Sequence, residues 1–429
     1  KGKADRRRRR RRSEGKGVMI VYLGLTALIL LLAVWMQKLQ RVGAAIEKRT
    51  PEGGEICLQT AQPDTRSRAA YLYRGCISLS FLLLFAVSAL RRNVGNDYES
   101  YREFMHLAYS RVPHIATEAG FNLLARGVYT FFGFENDLAV FAIYAFLTLL
   151  FFFLAFRKLS VSLPESLVLF LLLGFYFQTL GTVRYYFALS LALYALTFFL
   201  EGDYPRFVLL VLIGAFFHKS VLVVLVFYPL AKIRWRRGLL IAGSGLFLSC
   251  LFLQKPYLAL LLKLYPTYEN TEYLNGGTSL PNVARLALLL LLYFYVRGKK
   301  KDSEEEVFYL KCNVLALLLY LFCSFVPILS RIAYYLVVTQ LLLLPSLLKG
   351  LREKQRACAE TKEVCGKVRF PQLRGRRAQA FIWLFCLMTF AHFMAHAKDD
   401  GIRLLPYQTF LFHDALPLVS DVGYGNESR

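Results

Sequence analysis

The chain has 429 residues, of which 56% are hydrophobic, 15% aromatic and only 19% charged, with a mean hydropathy of +0.42. A soluble domain is about 45–50% apolar and about 25% charged, and no gap between the apolar runs here is long enough to hold one. The net charge of +24 sits in the connections between those runs, as cytoplasmic loops require, which argues against nucleic acid as a partner.

In chain order, apolar runs of 16–21 residues fall near 19–36, 74–90, 137–156, 164–180, 184–200, 238–254, 282–297, 307–327, 331–348 and 379–395. At a rise of 1.5 Å per residue they span about 24–32 Å, close to a hydrocarbon core of about 30 Å, so each reads as a membrane span. Leu, Phe and Ala fill them, so helices rather than barrel strands must satisfy the backbone. Two shorter arms, 206–217 and 220–231, lie between Asp203 and the basic run Lys232–Arg237, and read as a tight hairpin with His218 at its tip. The segment 118–132 is apolar but holds Glu118, Asn122 and Arg126, as suits an interfacial helix or one plugged into a bundle. The expected fold is all-α, a polytopic integral membrane helix bundle of about 10 full spans plus the hairpin, about 12 segments in all.

Basic loops orient it. Arg157-Lys158, Lys232–Arg237, Arg297–Lys301 and the 349–377 connection belong inside by the positive-inside rule. Residues 91–118, the 181–184 turn, His218, 255–281, the 327–331 turn and the C-terminal tail 413–429 then lie outside. Only the leader, residues 1–18, conflicts. The seven Lys/Arg of 37–74 place that loop inside, so Arg6–Arg12 would lie outside. Met19 opens the first apolar run directly, and translation is expected to start there, leaving residues 19–412 as the membrane domain. The leader holds ten positive and two negative charges, so without it +24 becomes +16. The rival reading keeps it as a cytoplasmic tail before a span that does not fully cross.

Charged groups in or beside spans cost about 2.5–3.5 kcal/mol each at mid-membrane, and here they collect on the outer side. In Gly95-Asn96-Asp97-Tyr98-Glu99-Ser100-Tyr101, Asp97 reads either as a helix cap or as an acid/base or sugar-hydroxyl ligand, with Tyr98 and Tyr101 on one face. Glu118 either faces a helix N-terminus or is a buried general base. Arg184 and Arg331 each follow a short outer turn and precede paired aromatics, Tyr185-Tyr186 and Tyr334-Tyr335. Such guanidinium forks hold phosphate oxygens, or else snorkel to headgroups. His218 and Lys219 sit between apolar arms that would insert more easily without them. His392 and His396 are spaced i, i+4 without an evident third ligand, and the eight cysteines show no metal-ligand spacing. The 255–281 loop, with Tyr257, Tyr265, Tyr268 and Tyr273, suits either sugar stacking or an interfacial belt.

Taken in order, these groups resemble one family. Gly95-Asn96-Asp97-Tyr98-x-x-Tyr101, Glu118-Ala119-Gly120-Phe121, Arg184 with its small-residue helix, Phe217-His218-Lys219-Ser220, Arg331-Ile332-Ala333-Tyr334-Tyr335 with Leu344-Pro345, and Leu405-Pro406-Tyr407-Gln408-Thr409 look like the EpsG family. These are Wzy-like polymerases of bacterial exopolysaccharide, capsule and O-antigen. The likeness runs from Met19 to about Phe412, with an extra leader and with Asn96 where a small residue is common.

The resemblance implies glycosyl transfer on the outer side of the bacterial cytoplasmic (inner) membrane. A glycan on undecaprenyl pyrophosphate would pass to a sugar hydroxyl of a lipid-linked repeat unit, beside other polysaccharide-assembly proteins in the bilayer. Asp97, Glu118 and His218 are then the candidate acid/base residues. Arg184, Arg331 and Lys219 would stabilise the leaving pyrophosphate, and Tyr98, Tyr101 and Tyr335 would line the substrate. No metal and no cofactor is expected, since neither a paired-carboxylate metal motif nor a nucleotide loop is present. A flippase or transporter of lipid-linked sugars, which would show internal repeats, and an O-antigen-type ligase are the alternatives.

Overall fold

The computed structural model describes residues 2–47, 62–112, 115, 117–264, 279–297, 303–326, 329–365 and 370–412. The first elements are α1 (Gly2–Glu47), α2 (Gln62–Ala89), α3 (Tyr98–Tyr109), α4 (Ala119–Phe132), α5 (Asp137–Leu159), α6 (Leu163–Leu172), α7 (Phe175–Gln178) and α8 (Val183–Glu201). Then come α9 (Tyr204–Phe217), a 3-10 turn at Lys219–Val223, α10 (Val224–Lys232), α11 (Arg237–Phe252), α12 (Gln254–Leu264) and α13 (Leu280–Arg297). The series closes with α14 (Glu304–Phe322), α15 (Leu329–Val337), α16 (Gln340–Cys365) and α17 (Phe370–Ala395). Among the described residues there is no strand, only one antiparallel bridge between Arg91 and Thr409.

Among the described residues, six helical stretches are long and apolar enough to cross a membrane: Met19–Val42, Ser67–Ala89, Asp137–Leu159, Val183–Glu201, Leu329–Arg356 and Gly375–Ala395. α11 and α12 make a seventh only as a pair bent by 91°. The three other expected spans differ for local reasons. The 164–180 run is broken into α6 and α7 at Gly174, whose φ of +81° favours glycine, and a Cβ there would stand 3.2 Å from the Phe393 ring. Within 282–297, the apolar part of α13 is short. α14 carries Glu304, Glu305, Glu306 and Lys311. Its start is nevertheless well specified, because Ser303 and Glu306 close a capping box and the acidic first turn suits the helix dipole. The expected hairpin is present as α9 and α10, with His218 extended at the break and Val221 packed 3.4 Å from where a Cβ on Gly214 would lie.

The described residues divide into two compact units, and each has its own core. Unit 1 gathers those of Lys1–Phe156, Ser162–Phe187 and Phe390–Arg429. Here α1 packs on α2 and α6, and α3 packs on α4. Rings fill the gaps: Phe81 meets Phe153 at 5.2 Å, Phe152 meets Phe170 at 4.5 Å, and Tyr22 meets both Phe177 and Tyr407 at 5.4 Å. Lipid tails are as apolar as these side chains, so close van der Waals packing and internal hydrogen bonds must hold such a bundle. The buried Glu165 accordingly accepts from Gln37 at 3.1 Å.

Unit 2 gathers Arg157–Val161 and Ala188–Thr389, with α14 packed against α10, α13, α15 and α16. A polar chain ties three of these. Arg285 Nε donates to Gln340 Oε1 at 3.1 Å, Gln340 Nε2 to Asn313 Oδ1 at 3.0 Å, and Asn313 Nδ2 to Thr339 Oγ1 at 3.1 Å. Cys250 and Cys323 are free thiols with their sulfurs 3.8 Å apart. Tyr257 meets Ser249 at 2.8 Å, while Tyr265, Tyr268 and Tyr273 lie outside the described residues, as do the tail 413–429 and the side chains of residues 1–18.

Candidate active site

The site in unit 1 begins at the turn Gly95–Asp97. Gly95 has φ +105°, and a Cβ there would meet the Gly181 Cα at 2.8 Å. A Cβ on Gly181 would in turn meet Asn96 Oδ1 at 2.6 Å. Only glycine at position 95 lets these two turns close on each other, because its neighbours there are main-chain atoms, and that closure brings the Asp97 turn to the stretch leading into Arg184. Asp97 occupies the N-cap position of α3, yet its side chain makes no cap hydrogen bond. Its Oδ1 accepts from Asn96 Nδ2 at 2.9 Å, and among the described residues it has no ion pair. The carboxylate is half-buried and is not spent on the helix.

Glu118 sits likewise at the N-cap of α4 without capping it. It instead forms an ion pair with Arg184 Nη1, and both side chains are nearly enclosed, at 14% and 16% exposed. The Arg184 Cζ lies 5.4 Å from the centroid of the Tyr101 ring and 5.2 Å from that of Phe121, a cation held against two aromatic faces. Tyr98 and Tyr101 are 1% and 3% exposed. Tyr98 stacks on Phe141 at 4.5 Å, so both tyrosines build the wall behind the site, and burial pushes the Tyr98 hydroxyl up to about 12.

Behind this wall lies a charge network that the sequence reading did not single out. Arg102 pairs with both Asp137 and, at 3.2 Å, Glu99. Tyr129 donates to Asp137, and His106 pairs with Glu135. These contacts bind α3, α4 and the start of α5 together and fix the turn that carries Asp97. Asp137→Ala should destabilise the protein by about 2–3 kcal/mol, since it strips one of two carboxylates from a buried guanidinium. Thermal unfolding in detergent measures this, and an unchanged midpoint would remove the network's structural role.

The closing stretch of the chain completes this unit. Arg92 N–H donates to Gln408 O at 2.8 Å, Phe410 N–H to Leu90 O at 3.1 Å and Gly95 N–H to Arg403 O at 2.9 Å. Leu405–Thr409 thus lies beside the residues leading into Asp97, a pairing across more than three hundred residues that no local pattern announces. Asn93 and Arg403 both take positive φ, 53° and 47°, which costs a non-glycine residue about 1–2 kcal/mol, and Arg403 Nη2 donates to Asn93 Oδ1 at 2.9 Å. Arg91 is 1% exposed. Burial pulls its guanidinium below the usual range, and burial likewise pushes the neighbouring Tyr407 hydroxyl up to about 12. The overlooked signal was Arg91-Arg92 itself, a basic pair directly after a span on the side expected to be poor in them.

Unit 2 holds the remaining candidates. His218 is half-buried and Lys219 exposed. Ser220 Oγ meets Tyr335 OH at 3.0 Å, and Tyr228 OH donates to Tyr335 O at 3.3 Å. The hairpin tip therefore touches α15, on which Arg331 and Tyr335 are spaced i, i+4 and share a face. Tyr335 is fully buried and Arg331 half-buried. Back in unit 1, His392 and His396 have ring centroids 4.4 Å apart, and among the described residues no group of three His, Cys, Asp or Glu side chains gathers.

Long apolar helices in this number are those of a polytopic α-helical membrane protein, and unit 1 holds both an enclosed arginine–carboxylate pair and an aspartate not spent on capping. The family model of the EpsG family matches residues 75–359, well over half of the chain, and the protein belongs to that family. That span takes in Asp97, Glu118, Arg184, His218 and Arg331, and ends before Arg403–Thr409. No curated protein and no solved structure matches the chain.

Proposed function

We propose that this protein is a polysaccharide polymerase of the Wzy-like kind. It transfers a growing glycan from undecaprenyl pyrophosphate to a sugar hydroxyl of the next lipid-linked repeat unit, on the outer side of the bacterial cytoplasmic membrane. Family membership points to a polymerase-like activity on polysaccharide. The observation that carries the specific reaction is the Arg184–Glu118 pair between the Tyr101 and Phe121 rings, beside the Asp97 turn.

In the ground state Glu118 neutralises Arg184. An arriving pyrophosphate offers the guanidinium a doubly charged, bidentate partner, and charge developing on the leaving group strengthens that contact in the transition state. The displaced carboxylate of Glu118 and the unspent one of Asp97 are then the bases within this unit for the acceptor hydroxyl. Arg331, Lys219 and His218, grouped around the Tyr335 helix in unit 2, remain by family likeness the further candidates for binding phosphate or a hydroxyl. Within unit 1, the Tyr101 ring backs the Arg184 guanidinium and Tyr98 packs on Phe141.

The proposed membrane topology keeps about 10 spans plus the α9–α10 hairpin by letting broken α6–α7, short α13 and charged α14 cross within the bundle, where polar groups find partners. Residues 19–412 form the membrane domain, with residues 1–18 as a leader and 413–429 as an outer tail. In a cysteine-free background, a membrane-impermeant thiol reagent should label Glu103→Cys in intact cells and spare Lys158→Cys. The reverse pattern would invert the topology.

Reconstitution tests the reaction itself. Purified protein in liposomes, given undecaprenyl-pyrophosphate-linked repeat units, should build a ladder of multiples of the repeat. Unextended single repeats, with the protein folded, would contradict it.

A further inference from the structure

Arg91-Arg92-Asn93 runs beside Arg403–Thr409, and the three arginines of these two stretches have no anionic partner among the described residues. Arg91 Nη1 donates to the Ser88 carbonyl, and its guanidinium carbon lies 4.8 Å from the centroid of the Phe141 ring. Its Nε and Nη2 are buried without a hydrogen-bond partner, as is Nε of Arg92. Of the four tyrosines around Arg91, three spend their hydroxyls on main-chain carbonyls, Tyr22 on Leu404 at 3.0 Å, Tyr176 on Leu84 at 2.8 Å and Tyr407 on Val87 at 3.1 Å, while the Tyr98 hydroxyl donates to none. Arg92 Nη1 reaches only the neutral Gln408 amide at 3.3 Å, and Arg403 Nη2 only that of Asn93 at 2.9 Å.

Among the described residues, no carboxylate lies within ion-pair distance of Arg91, Arg92 or Arg403. A buried guanidinium normally comes with a counter-charge, because desolvation is otherwise uncompensated. Arg184 and Arg102, in the same unit, both have one. The two residues that clasp each other at this spot, Asn93 and Arg403, also hold left-handed backbone, the kind of strain that persists where surrounding structure demands a particular geometry.

We propose that Arg91, Arg92 and Arg403 form a second diphosphate seat, which holds the headgroup of the acceptor lipid while Arg184 holds that of the donor. This rests on the polymerase reading, since joining two lipid-linked glycans brings two diphosphates to the protein at once and only one departs. The pair with a built-in counter-ion suits the headgroup that leaves, because Glu118 can reclaim Arg184 afterwards. The seat without one suits the headgroup that stays through the transfer. Half-buried Arg92 and Arg403 make the direct contacts with their forks. Arg91 lies beneath them in a low-dielectric setting, where an uncompensated charge acts strongly.

The test uses full-length protein in nanodiscs of phosphatidylcholine, with native mass spectrometry counting bound undecaprenyl diphosphate. Wild type should take up two molecules. Arg92→Gln and Arg403→Gln, which disturb only amide contacts, should each weaken one binding event about tenfold and leave the other intact, as expected for losing a charge-assisted contact. Arg184→Gln should weaken the complementary event. Arg91→Gln should match Arg92→Gln, and if it fails to fold the two half-exposed positions carry the test. Unchanged double occupancy in Arg92→Gln and Arg403→Gln would overturn the seat. Equal competition by phosphatidylglycerol would also overturn it, in favour of a general anionic-lipid surface. Two diphosphates bound by a protein that forms no polymer would leave the seat standing and remove the polymerase reading. Polymer made with single occupancy would do the opposite.

Discussion

Arg184→Ala is expected to abolish polymer, lowering the rate of transfer by about a thousandfold, the upper range for loss of one preorganised group at a charge-developing oxygen. The guanidinium is 16% exposed and is ion-paired with Glu118. Removing it deletes the proposed leaving-group contact and also leaves Glu118 as an enclosed charge without that partner, a change that by itself costs stability. Arg184→Lys separates the two effects. Lysine keeps a cation opposite Glu118, so membrane abundance and thermal midpoint should stay near wild type. A point charge cannot reproduce the fork that grips two phosphate oxygens, so polymer should remain low. Immunoblots of membranes alongside polymer quantified on gels check both. Normal polymer from Arg184→Lys would reduce the role of this arginine to charge balance, and normal polymer from Arg184→Ala would end its role in catalysis.

Asp97→Asn should be comparably severe for activity, a loss of about a hundredfold to ten-thousandfold, the usual contribution of a positioned general base, with stability within about 0.5 kcal/mol of wild type. The second half of that expectation comes from the structure. Asp97 occupies a cap position without capping, and its Oδ1 accepts from the neighbouring Asn96 amide. An asparagine keeps the carbonyl oxygen for that contact and gives up the proton acceptor. Stable protein with near-normal polymer would move the base to Glu118 or His218. Glu118→Gln and His218→Gln, compared by their pH–rate profiles, then distinguish those two, and normal polymer from Glu118→Gln, which also removes the Arg184 counter-charge, would leave His218.

These two residues illustrate how far the sequence could be read. Composition and run length were enough for an all-helical membrane fold, because crossing a hydrocarbon core is a constraint on length and polarity alone. The grouping of the Asp97 turn, Glu118 and Arg184 followed from counting loops onto one side. Their chemistry did not follow. Asp97 and Glu118 both stand where a cap belongs, and only coordinates reveal that neither caps and that Glu118 is paired with Arg184.

Tyr98 and Tyr101 share a helical face, and the family resemblance implied that they line the substrate. That face turns inward, onto Phe141 and Phe121, since the aromatic partners come from α4 and α5. The break at Gly174 was equally hidden: hydropathy stays high through Leu173 and Phe175, and the reason for glycine is Phe393, far along the chain. The Leu405–Thr409 motif carried no message by itself. It acquired one by pairing with Leu90–Gly95, which brought Arg403 to Asn93 and exposed the question of what neutralises Arg91.

The most direct measurement is the profile of lipid-linked glycans, resolved by mass and by leaflet, in cells lacking this protein. If it joins lipid-linked repeats outside the membrane, single repeat units on undecaprenyl pyrophosphate accumulate in the outer leaflet and longer chains disappear. Repeat units trapped in the inner leaflet would mean a flippase, and finished polymer stranded on its lipid would mean a ligase. Either pattern would contradict polymerisation as the missing step.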